Sequence, residues 1–271
     1  MRGARPERAL DPLVRRVLAW RAGERVLVAC SGGPDSVALA ALLDRLGRED
    51  DVEVELGHVN HGVRPSAGQD ECVVLAVGAR LGRTVAIARP APARDDEATL
   101  RAARYAALLD LARRCGARSI ATAHTAEDQT ETVLLALFRG TGLEGLAGIA
   151  PSRALAPDVA LVRPLLRATH AEVATELRRS ALPYAIDPSN ADPRYRRNAL
   201  RERLAGVRED FPQLDRAVAR CAEIVRDELD QTERGARRRA VRARLRARSA
   251  LLDVTFAAID TAAERDGLPP G

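Results

Sequence analysis

Residues 31–36 read SGGPDS, between an apolar, β-branched run, RVLVAC (25–30), and a stretch whose Val37, Leu39, Ala40, Leu42 and Leu43 are spaced for one face of a helix. Glycines at such a junction let several backbone N–H groups converge, and the helix start adds positive potential there. The guest that suits this turn is phosphate; a plain tight turn is the alternative. Two better-known phosphate loops are excluded. The chain contains no lysine, all 43 basic residues being arginine, so the lysine of a G-x-x-x-x-G-K-S/T loop is missing. The dinucleotide pattern G-x-G-x-x-G is absent from the turn as well.

Other stretches carry side chains capable of chemistry. In ATAHTAEDQTETVLLALFRGTG (121–142), His124 ends a strand-like run, and Glu127, Asp128 and Glu131 fall at the start of the next helix. Acids there can simply cap the helix and complement its dipole. Asp128 and Glu131, three apart, share a face and together make a receptor for a cation. HVNHGVRPSAGQDE (58–71) has two histidines three apart with no third ligand in view, which favours a polar rim loop over a metal site. EATLRAARY (97–105) puts Glu97, Arg101 and Arg104 at helical spacing, where a solvated salt-bridging face is the alternative to function. DPSNADPRYRRNALR (187–201) mixes prolines, asparagines and arginines, and reads either as a surface linker or as a loop clamping an anion.

These residues need a scaffold. Strand-like runs fall at 25–30, 52–60, 84–90, 119–124 and 159–166, with helix-like segments at about 69–81, 97–115 and 125–139 between them. The alternation predicts an α/β fold, a doubly wound and mostly parallel sheet whose ligands collect at the carboxyl ends of the strands. LFRGTGLEGLAGIAPSR (137–153) is glycine-rich and is expected to be a mobile loop. The sheet domain is expected to span 1–205, followed by a small helical, arginine-rich region, 206–271. In that region, from Pro212 on, Leu214, Val218, Cys221 and Val225 are expected to form one apolar helix face.

The chain is 271 residues long, 46% hydrophobic and 30% charged, which suits one good core with a smaller appendage. No apolar run approaches the ~18 residues of a membrane span, and the N-terminus lacks the apolar core of a secretory signal, so a cytoplasmic protein is expected. Cys30, Cys72, Cys115 and Cys221 form no C-x-x-C pair and are expected to be reduced, mostly buried thiols. The net charge of +5 and the basic blocks 194–204 and 234–248 suit a polyanionic partner. With seven aromatic residues in all, such a partner would be held chiefly by arginine rather than by base stacking.

SGGPDS resembles the S-G-G-x-D-S loop of the N-type ATP pyrophosphatases, which split ATP into AMP and pyrophosphate. HVNHGVR, EATLRAARY, ATAHTAEDQTETVLLALFRGTGLEGLAGI, RPLL and DPSNADPRYRRNALR follow in the order seen in the tRNA(Ile)-lysidine synthetase family. The resemblance covers residues 24–205. It implies adenylation of the wobble cytidine of a CAU-anticodon isoleucine tRNA, followed by attack of free L-lysine to give lysidine, with release of AMP and pyrophosphate. Ser31, Gly32, Gly33, Pro34, Asp35 and Ser36 would bind ATP, with Asp35 acting through Mg2+ or at the phosphates. Arg104 and Arg201 would contact the reacting phosphate or the tRNA, and Asp128 and Glu131 would recognise lysine.

The residue types suit that chemistry. Adenylation builds negative charge at the α-phosphate and on pyrophosphate, which arginines, Mg2+ and loop amides would face. An ammonium of pKa about 10.4 must be bound and then relieved of a proton, a task for paired carboxylates. Three departures from the family pattern stand out. Thr125 replaces a histidine, Glu127 replaces an aspartate, and the large C-terminal domains of longer members are expected to be absent. The lack of C-x-x-C pairs argues against a related cluster-bearing tRNA thiolase, and intact Asp35, Asp128 and Glu131 argue against a silent tRNA-binding relative.

Overall fold

A computed structural model of the chain describes residues 8–60, 67–91, 96–186 and 196–234. Within it a six-stranded sheet runs in the order β3-β2-β1-β4-β6-β5. The strands are β1 (Arg25–Ala29), β2 (Glu53–Val59), β3 (Val85–Ala88), β4 (Ser119–Ala121), β5 (Ser152–Ala156) and β6 (Val159–Val162). All neighbours pair in parallel except β5 and β6, which form an antiparallel pair. The helices are α1 (Asp11–Leu18), α2 (Pro34–Asp50), α3 (Ala67–Leu81), α4 (Glu97–Cys115), α5 (Ala126–Leu137), α6 (Leu143–Leu146), α7 (His170–Ser180) and α8 (Arg196–Asp210).

The central strands β2, β1, β4 and β6 are buried on both faces, as crossover helices require of parallel strands, while the edge strands β3 and β5 are only partly covered. Along β1 the side chains alternate between two cores: Val26 and Val28 pack with α2, α3 and α7, while Leu27 packs beneath Leu108, Leu111 and Ala112 of α4. The most deeply enclosed helix is α2, with eleven buried residues from Ser36 to Gly47, because it lies between the sheet and α7. The strand order reverses between β1 and β4, which opens a crevice at their carboxyl ends. SGGPDS leaves β1 into that crevice, and Thr122–His124 leave β4 into it.

Several expectations need correction. The stretch 137–153 is not a single loop: it contains α6 and the start of β5, and Gln129 clamps it by accepting from Ile149 N at 2.7 Å through Oε1. The strand β5 escaped the sequence reading because SRALA shows neither alternation nor a continuous apolar run. Of the four cysteines only Cys30 is buried; Cys115 is half-buried, and Cys72 and Cys221 are exposed, all four being free thiols. Residues 214–234 are helical as expected, but Asp215, Ala219 and Ala222 are the buried ones, so the covered stripe lies one position on from the anticipated face.

The contacts of the chain divide it into two compact units, Met1–Ala222 and Glu223–Gly271. The described part of the second, 223–234, is helical. The segments 61–66 and 187–195 of the quoted motifs, and the arginine block beyond 234, lie outside the described residues.

Candidate active site

The SGGPDS turn is built by backbone conformation and one serine. Gly32 takes φ +92°, open to glycine and strained for other residues, and an added Cβ there would meet the Asp70 carbonyl oxygen of α3 at 3.2 Å. Gly33 precedes α2, and Pro34 opens that helix with the φ it needs anyway. Buried Ser36 fixes the turn: its hydroxyl donates to the Gly33 carbonyl at 2.9 Å and accepts from the Ser31 amide at 3.1 Å. The Gly32 carbonyl accepts from Ala185 N at 2.9 Å, so the segment after α7 crosses the turn.

Two further helices start at the same mouth. In α5, Thr125 and Asp128 form a reciprocal capping box, with the Thr125 amide donating to Asp128 Oδ2 at 3.0 Å. In α7, Thr169 and Glu172 do the same. The starts of α5 and α7 are tied together by Glu127, whose Oε1 accepts from His170 N at 2.8 Å. Three helix starts facing one crevice favour anions in it.

Asp35 sits at the first turn of α2, 37% exposed, with its Oδ2 3.5 Å from His170 Nε2. Burial holds its carboxyl above the ordinary value; His170 works against that rise, while Asp128 and Glu127 reinforce it and Arg201 opposes them. Asp35, Glu127, Asp128, His170 and Arg201 therefore share one electrostatic neighbourhood.

Glu131 is fully buried and held by Arg201 through two bonds, Nε to Oε1 at 2.7 Å and Nη2 to Oε2 at 3.1 Å. Arg197 approaches the same carboxylate at 3.8 Å and donates to Thr132 Oγ1 at 2.7 Å. Asp128 is one-fifth exposed, with its Oδ1 3.8 Å from Arg201 Nη2. The two carboxylates thus differ: one is saturated by arginine, the other faces the crevice. Although burial disfavours its charge, Arg201 is held above its ordinary pKa by Glu131, Asp128 and Asp35. Arg104 lies exposed on α4.

The donor set suits a hard divalent cation. Asp35 and Asp128 offer carboxylate oxygens at the mouth, and Glu127, 8% exposed, buries an Oε2 that has no hydrogen-bond partner. Among the described residues no three His, Cys, Asp or Glu side chains are placed together to hold a metal ion, so most of the coordination of any such cation would come from phosphate oxygens and water.

The sequence reading passed over His170 and Glu127 as a pair. The signal was present in ATHAE (168–172), where Thr169 three residues before Glu172 marks a helix start at His170. β4 ends at Ala121, three residues before the expected His124, which lies in the segment leaving the strand and is bonded through Nδ1 to Thr122 Oγ1 at 3.0 Å. Burial lowers its pKa to about 4, with Asp128 pulling it up and Arg163, Arg101 and Arg197 pushing it down. It is a neutral imidazole near pH 7. His58 is buried, with Nδ1 2.9 Å from the Cys30 carbonyl, which fits a structural role under the turn.

A sheet of this order with a glycine turn after its first strand is the architecture of an ATP-using α/β domain, and the model for the PP-loop domain matches residues 6–207. A U34-tRNA thiolase from Methanococcus maripaludis shares the fold, with a TM-score of 0.65 over 80% of this chain and 77% of that one at 17% identity. The tRNA(Ile)-lysidine synthase of Methylobacterium nodulans is 38% identical over 81% of this chain and 69% of its own length. That of Thermus thermophilus is 40% identical over 83% of this chain and 44% of its own. This chain belongs to the tRNA(Ile)-lysidine synthase family, ligases that consume ATP through a PP-loop domain. It spans from under half to about two thirds of those two relatives' lengths. No helix among the described residues is long and apolar enough to cross a membrane.

Proposed function

We propose that the chain adenylates the wobble cytidine of a CAU-anticodon isoleucine tRNA and joins free L-lysine to it, making lysidine, AMP and pyrophosphate. The observation that carries this reading is the gathering of Asp35, Asp128 and the Arg201–Glu131 pair around one glycine turn. The turn from Ser31 to Ser36 binds the pyrophosphate end of ATP. Asp35 would hold Mg2+, with phosphate oxygens and water completing its shell, and the bound ion would neutralise phosphate charge. Arg201, its guanidinium locked by Glu131, faces the charge that grows at the α-phosphate as the cytidine carbonyl attacks, and Arg104 approaches the same phosphate or the tRNA. Asp128 and Glu131 make the lysine pocket. Within it Asp128 holds the ammonium and accepts the proton lost when the amine attacks, while Glu131 keeps Arg201 in place.

In this reading residues 1–205 are the catalytic domain and 206–271 an arginine-rich helical region that adds tRNA contact, in a protein working in the cytoplasm. The test is to incubate the chain with tRNA transcript, ATP and labelled lysine, then digest to nucleosides. Labelled lysidine with AMP and pyrophosphate is expected; ADP and orthophosphate would overturn the assignment.

A further inference from the structure

Beside the crevice, on the α4 side of the sheet, three guanidiniums converge on one tyrosine. The Cζ of Arg101 lies 5.3 Å from the centre of the Tyr105 ring, and that of Arg153 lies 5.2 Å from it. Arg163, the arginine of RPLL, stands against the same tyrosine at the carboxyl end of β6, 3% exposed. Its Nη1 donates to the Ala150 carbonyl at 2.6 Å, and its buried Nε has no partner. Among the described residues none of the three makes an ion pair with a carboxylate, although most other arginines of the sheet domain do.

An unneutralised guanidinium in the interior is costly, and like charges crowded around it add to the cost unless an anion completes the group. Burial and the neighbouring Arg153 and Arg101 do lower the Arg163 pKa, with Tyr105 opposing them. Stacking on the Tyr105 ring holds two of the planar forks ready, and such forks match phosphate oxygens in pairs. The cluster sits at the end of β6, two strands from the β1 turn across β4, roughly 10 Å at ordinary strand spacing. Arg163 and Arg101 act electrostatically on His124, just past the end of β4, so the cluster borders the crevice on its β6 side.

We propose that Arg101, Arg153 and Arg163 around Tyr105 form a second phosphate site, which takes a backbone phosphodiester of the RNA substrate and sets the register of the anticodon loop over the crevice. The inference rests on the tRNA reading above. Contacts to phosphate fix orientation without reading bases, which is the task left to an arginine-rich, aromatic-poor mouth.

The test measures binding of full-length tRNA transcript to the whole chain at several salt concentrations, alongside ATP affinity. Exposed Arg153 and Arg101 are changed to glutamine in turn, with exposed Arg114, at the far end of α4, as control. Each of Arg153→Gln and Arg101→Gln is expected to weaken tRNA binding about tenfold. Each should also reduce the slope of log K against log salt by about 0.7–0.9. ATP affinity and the Arg114→Gln variant should be unchanged. Unaltered tRNA affinity and slope would overturn the proposal, as would an equal loss from Arg114→Gln or a loss confined to ATP. A chain that binds tRNA in this arginine-dependent way but makes no lysidine overturns the proposed activity and leaves the phosphate site standing.

Discussion

Arg201 and Glu131, seventy residues apart in sequence, close a two-point fork in which a fully buried carboxylate meets a partly exposed guanidinium. Removing one partner strands the other. Arg201→Ala should therefore cost roughly 2 kcal/mol or more, less than a fully enclosed pair because Arg201 reaches solvent. The double variant with Glu131→Gln should fall short of the sum of the two single losses by about 1 kcal/mol. Urea unfolding followed by the single tryptophan, Trp20, which packs on the main core, provides the readout. Strict additivity would mean that the fork contributes nothing.

The open carboxylate of the pair predicts a different phenotype. Asp128→Asn keeps the shape of the α5 cap but removes the charge facing the crevice. Its KM for lysine should rise tenfold or more, the value of one charge-assisted contact, while tRNA adenylation measured without lysine persists. Equal loss of both steps would assign Asp128 to the nucleotide alone.

For Asp35 the sign of the electrostatics separates activity from stability. A carboxyl held above its ordinary value by burial favours the folded state while protonated, and that contribution disappears as pH rises through the folded pKa. At neutral pH the ionised group is a load on the fold. Asp35→Asn should abolish pyrophosphate release yet raise Tm near pH 7, with the gain fading in acid. A Tm that drops at every pH would contradict this account.

Two glycines test the turn. Gly32→Ala forces a Cβ into the left-handed region and toward the Asp70 carbonyl, so ATP binding should be lost along with some stability. Gly140→Ala has a positive φ but nothing within 4 Å, so it should cost only the backbone strain, on the order of 1 kcal/mol, and leave ATP affinity alone. Equal effects of both on ATP affinity, by equilibrium binding, would remove the special role of Gly32.

What could be read from the sequence divides along physical lines. The parallel strands and their helices were legible because buried runs such as RVLVA and amphipathic stretches such as that after Asp35 carry their own period. The pairing of Asp35 with His170 was not, since it depends on α7 docking against α2, and no local pattern encodes a helix–helix contact. The Arg101–Tyr105–Arg153 grouping was hidden for a similar reason: it needs the β5–β6 pair, whose short SRALA strand shows no alternation. Glu131 was recognisable as a site candidate, but its capture by Arg201 required the return of α8 to α5.

The thread from Ala185 N to the Gly32 carbonyl has a consequence for synthesis of the chain. On the ribosome β1 emerges early and β2 joins it almost at once, but its other neighbour, β4, is made only at Ser119–Ala121. Until then one edge of the central strand stands open, an interval in which the nascent chain is a client for chaperones. The glycine turn waits longer still, for Ala185 and then for Arg201. Capacity to use ATP is therefore acquired only once Arg201 has been made, and a chain released before that point would be unable to spend it.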